Sequence, residues 1–274
     1  MTATKNTFKE IGFLANEAVT NQSAQELTSS ECYKICLNLN RLAQSILNHA
    51  VIHTDDQKEV YAIVYFERML SHYQAILLLT ERGMLHQAEI MLRSLLEALF
   101  SLVAFYRHND FFDVFVLGDQ NQKLTFLKQI REKQRILDTY TDDELEELDR
   151  IIASTDNIDR ADFTVFMKAD LAGMLNEYRT LYPLLSESVH STIHSLAKDL
   201  IINPKNKEID DINVWNKKPE DIYPLLLSTA NYMSIGLNMI LHLVPNAKSE
   251  ADLQIIENKI QGEWQHCVSA VSHR

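Results

Sequence analysis

Very few residues in this chain interrupt helices: there are 6 glycines and 5 prolines among 274 residues. Average composition would give roughly three times as many of each. Glycine in a helix interior costs about 1 kcal/mol relative to alanine, and proline costs about 3 kcal/mol. A chain that is poor in both forms long helices joined by few turns. The sequence therefore predicts an all-α protein.

The apolar content is high enough for one sizeable core, since 46% of the residues are hydrophobic. Segment 84–107 is apolar on nearly all sides, which is typical of a helix enclosed by others. We predict a single bundle of about 8–10 helices around this central helix. Segments 1–55 and 203–274 are expected to add N-terminal and C-terminal helices to a core formed by 56–202, which carries a polar cluster.

Hydrophobic periodicity and end signals predict where the helices lie. Segment 28–31 has the hydroxyl and acidic residues of a helix start, segment 55–56 precedes another helix, and Arg82-Gly83 fits a helix end. Pro183 is expected to kink a helix or to begin one. The predicted helices cover 5–19, 28–51, 55–80, 84–107, 109–138, 175–202, 219–243 and 249–272, with short helical pieces in a loop at 153–174 and a long loop at 203–218.

The chain is acidic, with a formal net charge of −12 and a pI near 5.3. Phosphate backbones and anionic lipids repel such a chain overall, so RNA binding would need a local basic patch. Segment 123–135 is basic and contains Lys128 and Arg131, and the acidic segment 142–149 follows it. The two segments are interpreted either as a charged helical hairpin whose arms neutralise each other or as a surface that contacts RNA.

Several function classes lack their motifs in this sequence. It has no GxSxG, no GxxxxGK[ST] and no GxGxxG, which argues against serine hydrolases, P-loop enzymes and dehydrogenases, and no cofactor is predicted. Three cysteines favour reduced thiols in the cytoplasm. Arg93 and Glu97 interrupt the most apolar stretch, so no membrane span is predicted. His190-x3-His194 lacks the glutamate of HExxH, so no metal site is predicted either.

Arg93 and Glu97 lie one turn apart on the central helix and therefore share a face. Buried charges need partners, and Ser186, His190 and His194 form a polar stripe on a later helix. We expect Arg93 and Glu97 to meet Ser186 and His190 across a helix contact. The network is interpreted as a device that fixes helix packing, as an acid–base site or as a polar ligand pocket.

Two segments carry a resemblance to a known family. "LRSLLEAL" at 92–99 and "YPLLSESVH" at 182–190 resemble a bacterial domain-of-unknown-function family with "LRSLLEA" and "YxxLSxxVH" motifs, over roughly residues 60–200. The residues at its motif positions are Arg93, Glu97, Tyr182, Ser186 and His190. The resemblance implies a helical bundle similar to HEPN domains, which occur in toxin–antitoxin and phage-defence systems, often as dimeric metal-independent ribonucleases. HEPN nucleases place four to six residues between an arginine and a histidine, and no such pair occurs here.

Three functions remain open from the sequence. The first is a cytoplasmic bacterial binding protein of a stress or defence system, with a protein partner or a second copy of itself. The second is an endoribonuclease with His190 as acid or base, Arg93 as anion stabiliser and Glu97 beside them, and with segment 123–135 holding RNA. The third is a sensor that binds a small ligand in the same polar pocket. The binding residues expected are Tyr182, Ser186, His194, Lys128 and Arg131.

Overall fold

The computed structural model describes residues 7–53, 55–108, 128–129, 141–155, 164–190, 200–202, 205, 209–212, 219–243 and 250–272. Within these ranges the regular structure is helical apart from one short β hairpin. The prediction of an all-α bundle is therefore confirmed. No helix in the described ranges is both long enough and apolar enough to span a membrane.

The helices and strands are numbered along the chain. The N-terminal helices are α1 Phe8–Ile11, α2 Glu17–Thr20, α3 Gln22–Ser29 and α4 Glu31–His49. The middle of the chain forms α5 Gln57–Glu81, α6 Leu85–Arg107, α7 Asp142–Thr155, α8 Val165–Leu171 and α9 Leu175–His190. The remaining elements are β1 Leu200–Ile202, β2 Ile209–Ile212, α10 Pro219–Leu243 and α11 Glu250–Ser272.

Side-chain caps set the starts of the long helices. Ser30 caps α4 by accepting a hydrogen bond from the amide of Tyr33. Asp56 caps α5 by accepting hydrogen bonds from the amides of Lys58 and Glu59 at 2.9 and 3.2 Å. These caps satisfy amides that have no partner within the helix, and such a cap is typically worth about 1 kcal/mol. Gly83 has a φ of +74° and lets the chain turn directly from α5 into α6.

Helix α6 is the centre of the bundle, as predicted. Buried side chains surround it on nearly every side from Leu92 to Phe105. Its contacts are with α5, α8, α9 and α10. A helix that other helices cover in this way can be apolar all round, because hardly any of its surface faces water.

Helix α10 packs on α4, α5 and α6, and the C-terminal helix α11 covers α4 and α10. Gly236 allows a close approach between α10 and α5, since a Cβ at this position would lie 2.5 Å from Cε of Met69. One continuous cluster of buried side chains runs through α4, α5, α6, α10 and α11.

Two predictions about the elements were wrong. Segment 5–19 is not one helix, because Gly12 adopts a φ of +59° and separates α1 from α2. The helix predicted to reach residue 202 does not do so. Leu200 instead pairs with Ile212 in an antiparallel hairpin of β1 and β2, the second of which lies in the predicted loop. Each strand contains two isoleucines, which are β-branched and favour strands over helices.

Candidate functional site

A line of polar side chains crosses the contact between α6 and α9. On α6 these are Glu89, Arg93 and Glu97, which are four residues apart and share a face, and on α9 they are Tyr182 and Ser188. Glu89 accepts a hydrogen bond from Ser188. Further along α6, Glu97 accepts one from Tyr182. Because residue numbers rise on α6 as they fall on α9, the two helices run antiparallel, and we call these five residues the polar seam.

Arg93, Glu97 and Tyr182 form a closed triangle within the polar seam. The Tyr182 hydroxyl donates to Oε1 of Glu97 at 2.6 Å, and Nη2 of Arg93 lies 3.3 Å from the same oxygen. Arg93 also donates to the Tyr182 hydroxyl, and its guanidinium carbon lies 4.6 Å from the centre of the tyrosine ring. Each member therefore has both of the others as partners.

Burial raises the pKa of Tyr182, and the hydrogen bond to Glu97 and the charge of Glu97 raise it further, whereas Arg93 opposes the shift. The phenol therefore remains protonated at neutral pH and acts as a donor to the carboxylate. A group in this state does not serve as a general base.

The prediction that Ser186 contacts Arg93 and Glu97 was wrong. The hydroxyl of Ser186 donates to the backbone oxygen of Tyr182 at 2.8 Å and so bonds within its own helix. Serine in a helix commonly uses the carbonyl four residues earlier in this way. The two charged side chains are also less buried than expected, with 25% and 34% of their surfaces exposed.

Some expected site residues lie outside what the structure describes. The side chain of His190, together with His194 and Arg131, falls among these. Lys128 belongs to the described pair 128–129, which is helical. The roles predicted for these four residues therefore remain predictions.

Two basic side chains near Glu97 were missed from the sequence. Burial lowers the pKa of Lys168 on α8, and the charge of Glu97 offsets part of that shift. Burial also lowers the pKa of His72 on α5, Arg68 adds to the shift, and Glu67 and then Glu97 oppose it. Glu97 therefore acts electrostatically on Lys168 and His72 in addition to its ion pair with Arg93. Helical periodicity could not reveal this, because these residues come from three different helices.

An aromatic row extends the triangle along α9. The ring of Tyr178 stacks on that of Tyr182 with centroids 5.2 Å apart and an interplanar angle of 22°. Phe166 of α8 contacts Tyr178 edge to face at 5.6 Å, and it is 42% exposed. Such ring pairs add about 0.5–1.5 kcal/mol to the burial of the rings themselves. The row fixes α8 and α9 against each other beside the polar seam.

A cleft of about 360 Å³ opens at the other end of the polar seam, between α6, α9 and α10. Glu89 lies in its wall, where its Oε2 accepts from Ser188 and lies 3.4 Å from Nδ1 of His86. Asp221 of α10 adds a second carboxylate to the lining. The rest of the lining is mostly apolar and consists of Leu85, Leu92, Leu181, Leu184, Leu185, Pro224, Leu225 and Ser228. We call this the α6–α9–α10 cleft.

The polar wall of this cleft was not predicted from the sequence. Glu89 precedes Arg93 by one helical turn, so the spacing that paired Arg93 with Glu97 also extends to Glu89. Ser188 gave no such signal, because it lies outside the stripe that joins Ser186 to His190. Across the described ranges, no three His, Cys, Asp or Glu side chains are grouped closely enough to hold a metal ion.

A comparison with protein families gives one match. A model described as a family of unknown function (DUF5677) matches residues 59–209. The matched segment contains most of α5, all of α6 to α9 and β1, and therefore all five residues of the polar seam. No curated protein and no solved structure matches the chain.

Proposed function

This chain belongs to the family of unknown function DUF5677, and we propose that it is a binding protein that holds its ligand in the α6–α9–α10 cleft. The cleft carries the proposal. At about 360 Å³ it falls within the size range of small-molecule sites, and its lining combines apolar walls with a few polar groups. Such a lining buries the body of a ligand while the polar groups fix its orientation.

The polar seam supports binding rather than turnover. Arg93, Glu97 and Tyr182 already bond to one another, and Tyr182 is held protonated. A closed network of this kind resists rearrangement and fixes how α9 lies on α6. It thereby sets the positions of Glu89 and Ser188, which lie on the same two helices and form one wall of the cleft.

The cellular role that we propose comes from the resemblance of two sequence segments to a bacterial family of helical proteins. We place the protein in a bacterial stress or defence system, in which a protein partner or a second copy of the chain would respond to the occupied cleft. The net charge of −12 argues against phosphate-rich partners.

An endoribonuclease is the second candidate, and one observation favours it. Nε of Arg93 is buried and has no hydrogen-bond partner among the described residues. A buried donor of this kind could bind an anionic oxygen. In this alternative, Arg93 stabilises a phosphate while His190 acts as acid or base.

The binding proposal is tested with a thermal-shift screen of a metabolite collection against three proteins. Leu184 lines the cleft and Leu78 lies on α5 away from it, and each is 62% exposed. Ligands should raise the melting temperature of the wild type and of Leu78→Ser, and should do so much less for Leu184→Ser. Equal shifts for both variants would place binding elsewhere and contradict the proposal.

The ribonuclease alternative needs a separate experiment. Wild type and His190→Ala are overexpressed in bacteria, with total RNA examined on gels and folding checked by circular dichroism. The binding proposal predicts intact RNA in both cultures. Degraded RNA with the wild type alone, at equal levels of folded protein, would replace binding with catalysis.

A further inference from the structure

We propose that the α6–α9–α10 cleft selects a small protonated amine that carries an apolar body. This inference rests on the proposed function, because it assigns a ligand class to the same cleft. It follows from the charges in the lining, from an oxygen of Glu89 that remains available, and from the apolar surface that faces them.

The charged groups in the lining are predominantly acidic. Glu89 and Asp221 contribute carboxylates, and among the described residues of the lining His86 is the single basic one, with no lysine or arginine. The whole chain adds a field of the same sign, since its formal charge is −12. Cations are therefore drawn towards this cleft and anions are repelled from it.

Glu89 offers a specific point of attachment. Its contacts with Ser188 and with His86 both use Oε2. Within the described residues, Oε1 accepts no hydrogen bond from the protein. The side chain is 28% exposed, so the carboxylate is partly removed from water while one oxygen stays available. An ammonium group could donate to this oxygen in a charge-assisted hydrogen bond.

The apolar walls set the second requirement. Leucines from α6, α9 and α10 line the cleft, and Leu184 is 62% exposed at its edge. An alkyl or aryl group laid across them would leave water, which favours binding in proportion to the apolar area covered. A neutral apolar ligand would also cover Glu89 but would give its charge no partner. An amine with an apolar body meets both requirements at once.

The volume indicates a small molecule as the source of the amine. About 360 Å³ lies near the lower end of the range for small-ligand sites. The walls come from three helices that converge on a confined space rather than from one long exposed face.

The test uses three probes with the same carbon chain: octylamine, octanol and octanoate, measured by isothermal titration calorimetry at neutral pH. We expect octylamine to bind at least tenfold more tightly than octanol and octanoate not to bind. Glu89→Gln should weaken octylamine at least tenfold and leave octanol unchanged. Glu31→Gln removes the same charge from an exposed site on α4 and should leave both affinities unchanged.

The outcomes separate this inference from the proposed function. Equal binding of octylamine and octanol, both lost in Leu184→Ser, would keep the cleft as a binding site and overturn the amine. Equal weakening of octylamine by Glu31→Gln and Glu89→Gln would overturn it too, because the general field alone would then explain the preference. If no probe binds and the metabolite screen gives no ligand that depends on Leu184, both proposals fail. Circular dichroism melts establish that each variant is folded.

Discussion

At the scale of single residues, Tyr182 joins the two charges of the polar seam. Replacing it with phenylalanine removes a hydroxyl that donates to Glu97 and accepts from Arg93. Hydrogen bonds to charged groups contribute about 1.5–3 kcal/mol, and partial exposure of both partners lets water replace some of this. We expect Tyr182→Phe to lower the free energy of unfolding by about 1–2 kcal/mol, as measured by urea denaturation.

Tyr178→Phe is the matched control for Tyr182→Phe. Tyr178 stacks on Tyr182, but its hydroxyl makes no hydrogen bond within the described residues. The control keeps the ring and should change the stability by less than about 0.5 kcal/mol. Equal losses in the two variants would show that the hydroxyl of Tyr182 has no special role.

Two histidines should give opposite pH dependences of stability. The hydrogen bond and the charge of Glu59 raise the pKa of His53, so its stabilising effect is present below about pH 6.5 and is lost as the pH rises through the folded-state pKa. Burial, aided by Arg68, lowers the pKa of His72, so stability is complete above about pH 6.5 and falls as acid protonates this group. The quantity to measure by urea denaturation is the free energy of unfolding of each variant minus that of the wild type. For His53→Gln this difference should be smaller at pH 5 than at pH 8. The same difference for His72→Gln should be larger at pH 5 than at pH 8, and shifts of the same sign in the two variants would contradict one of the two assignments.

The pairing of Arg93 with Glu97 was predictable from the sequence, but the residue of α9 that bonds to them was not. Arg93 and Glu97 are four residues apart, and helical spacing alone places them on one face. Whether Tyr182 or Ser186 reaches them depends on how far α9 is displaced along α6. The spacing of residues within one helix gives no information about this displacement. Tyrosine also spans a longer distance than serine, so it reaches the charges while Ser186 bonds to its own helix.

At the scale of elements, two glycines inside helices provide a test of packing. Gly236 on α10 faces Met69 so closely that an added Cβ would lie 2.5 Å from its methyl carbon, whereas nothing lies within 4 Å of a Cβ added at Gly262 on α11. Alanine is favoured over glycine in a helix by about 0.5–1 kcal/mol, so Gly262→Ala should raise the free energy of unfolding by that amount. Gly236→Ala receives the same gain, but crowding costs about 1–3 kcal/mol and should outweigh or cancel it.

The comparison of these two variants is made by urea denaturation. Met69 is fully buried, so its methyl group has little free space into which to move. Met69→Ala in the Gly236→Ala background should recover the crowding cost, as judged by a double-mutant cycle. Equal effects at Gly236 and Gly262 would mean that α5 and α10 are not in such close contact.

The elements that the sequence predicted best are those with a local end signal. Asp56 caps α5 and Gly83 ends the turn before α6, and both signals lie within a few residues of the boundaries that they set. The β hairpin was missed because its pairing joins residues that are separated along the chain, such as Leu200 and Ile212. Gly12 was missed because one glycine in an amphipathic segment does not by itself indicate a positive φ.

At the scale of the whole molecule, the extent of the family match differs from the extent of the core. The match covers residues 59–209 and leaves out α4, α10 and α11. These three helices nevertheless contribute side chains to the same buried cluster as α5 and α6. Leu226, Met233 and Leu237 of α10, for example, are completely buried. The sequence prediction that the N-terminal and C-terminal helices belong to one domain with the core is open to a direct test.

We expect the isolated segment 59–209 not to fold cooperatively. Without α4 and α10, apolar faces of α5 and α6 would be exposed to water, and each exposed Å² costs about 25 cal/mol. Such a loss is large beside the 5–15 kcal/mol that stabilises a typical domain. The full chain should unfold in one calorimetric transition whose van't Hoff enthalpy equals its calorimetric enthalpy, and the segment should show helical far-ultraviolet but featureless near-ultraviolet circular dichroism. A segment with a sharp transition and a native near-ultraviolet spectrum would mean that the matched region is an independent unit, and the cleft wall formed by α10 would then be an addition to it rather than part of its core.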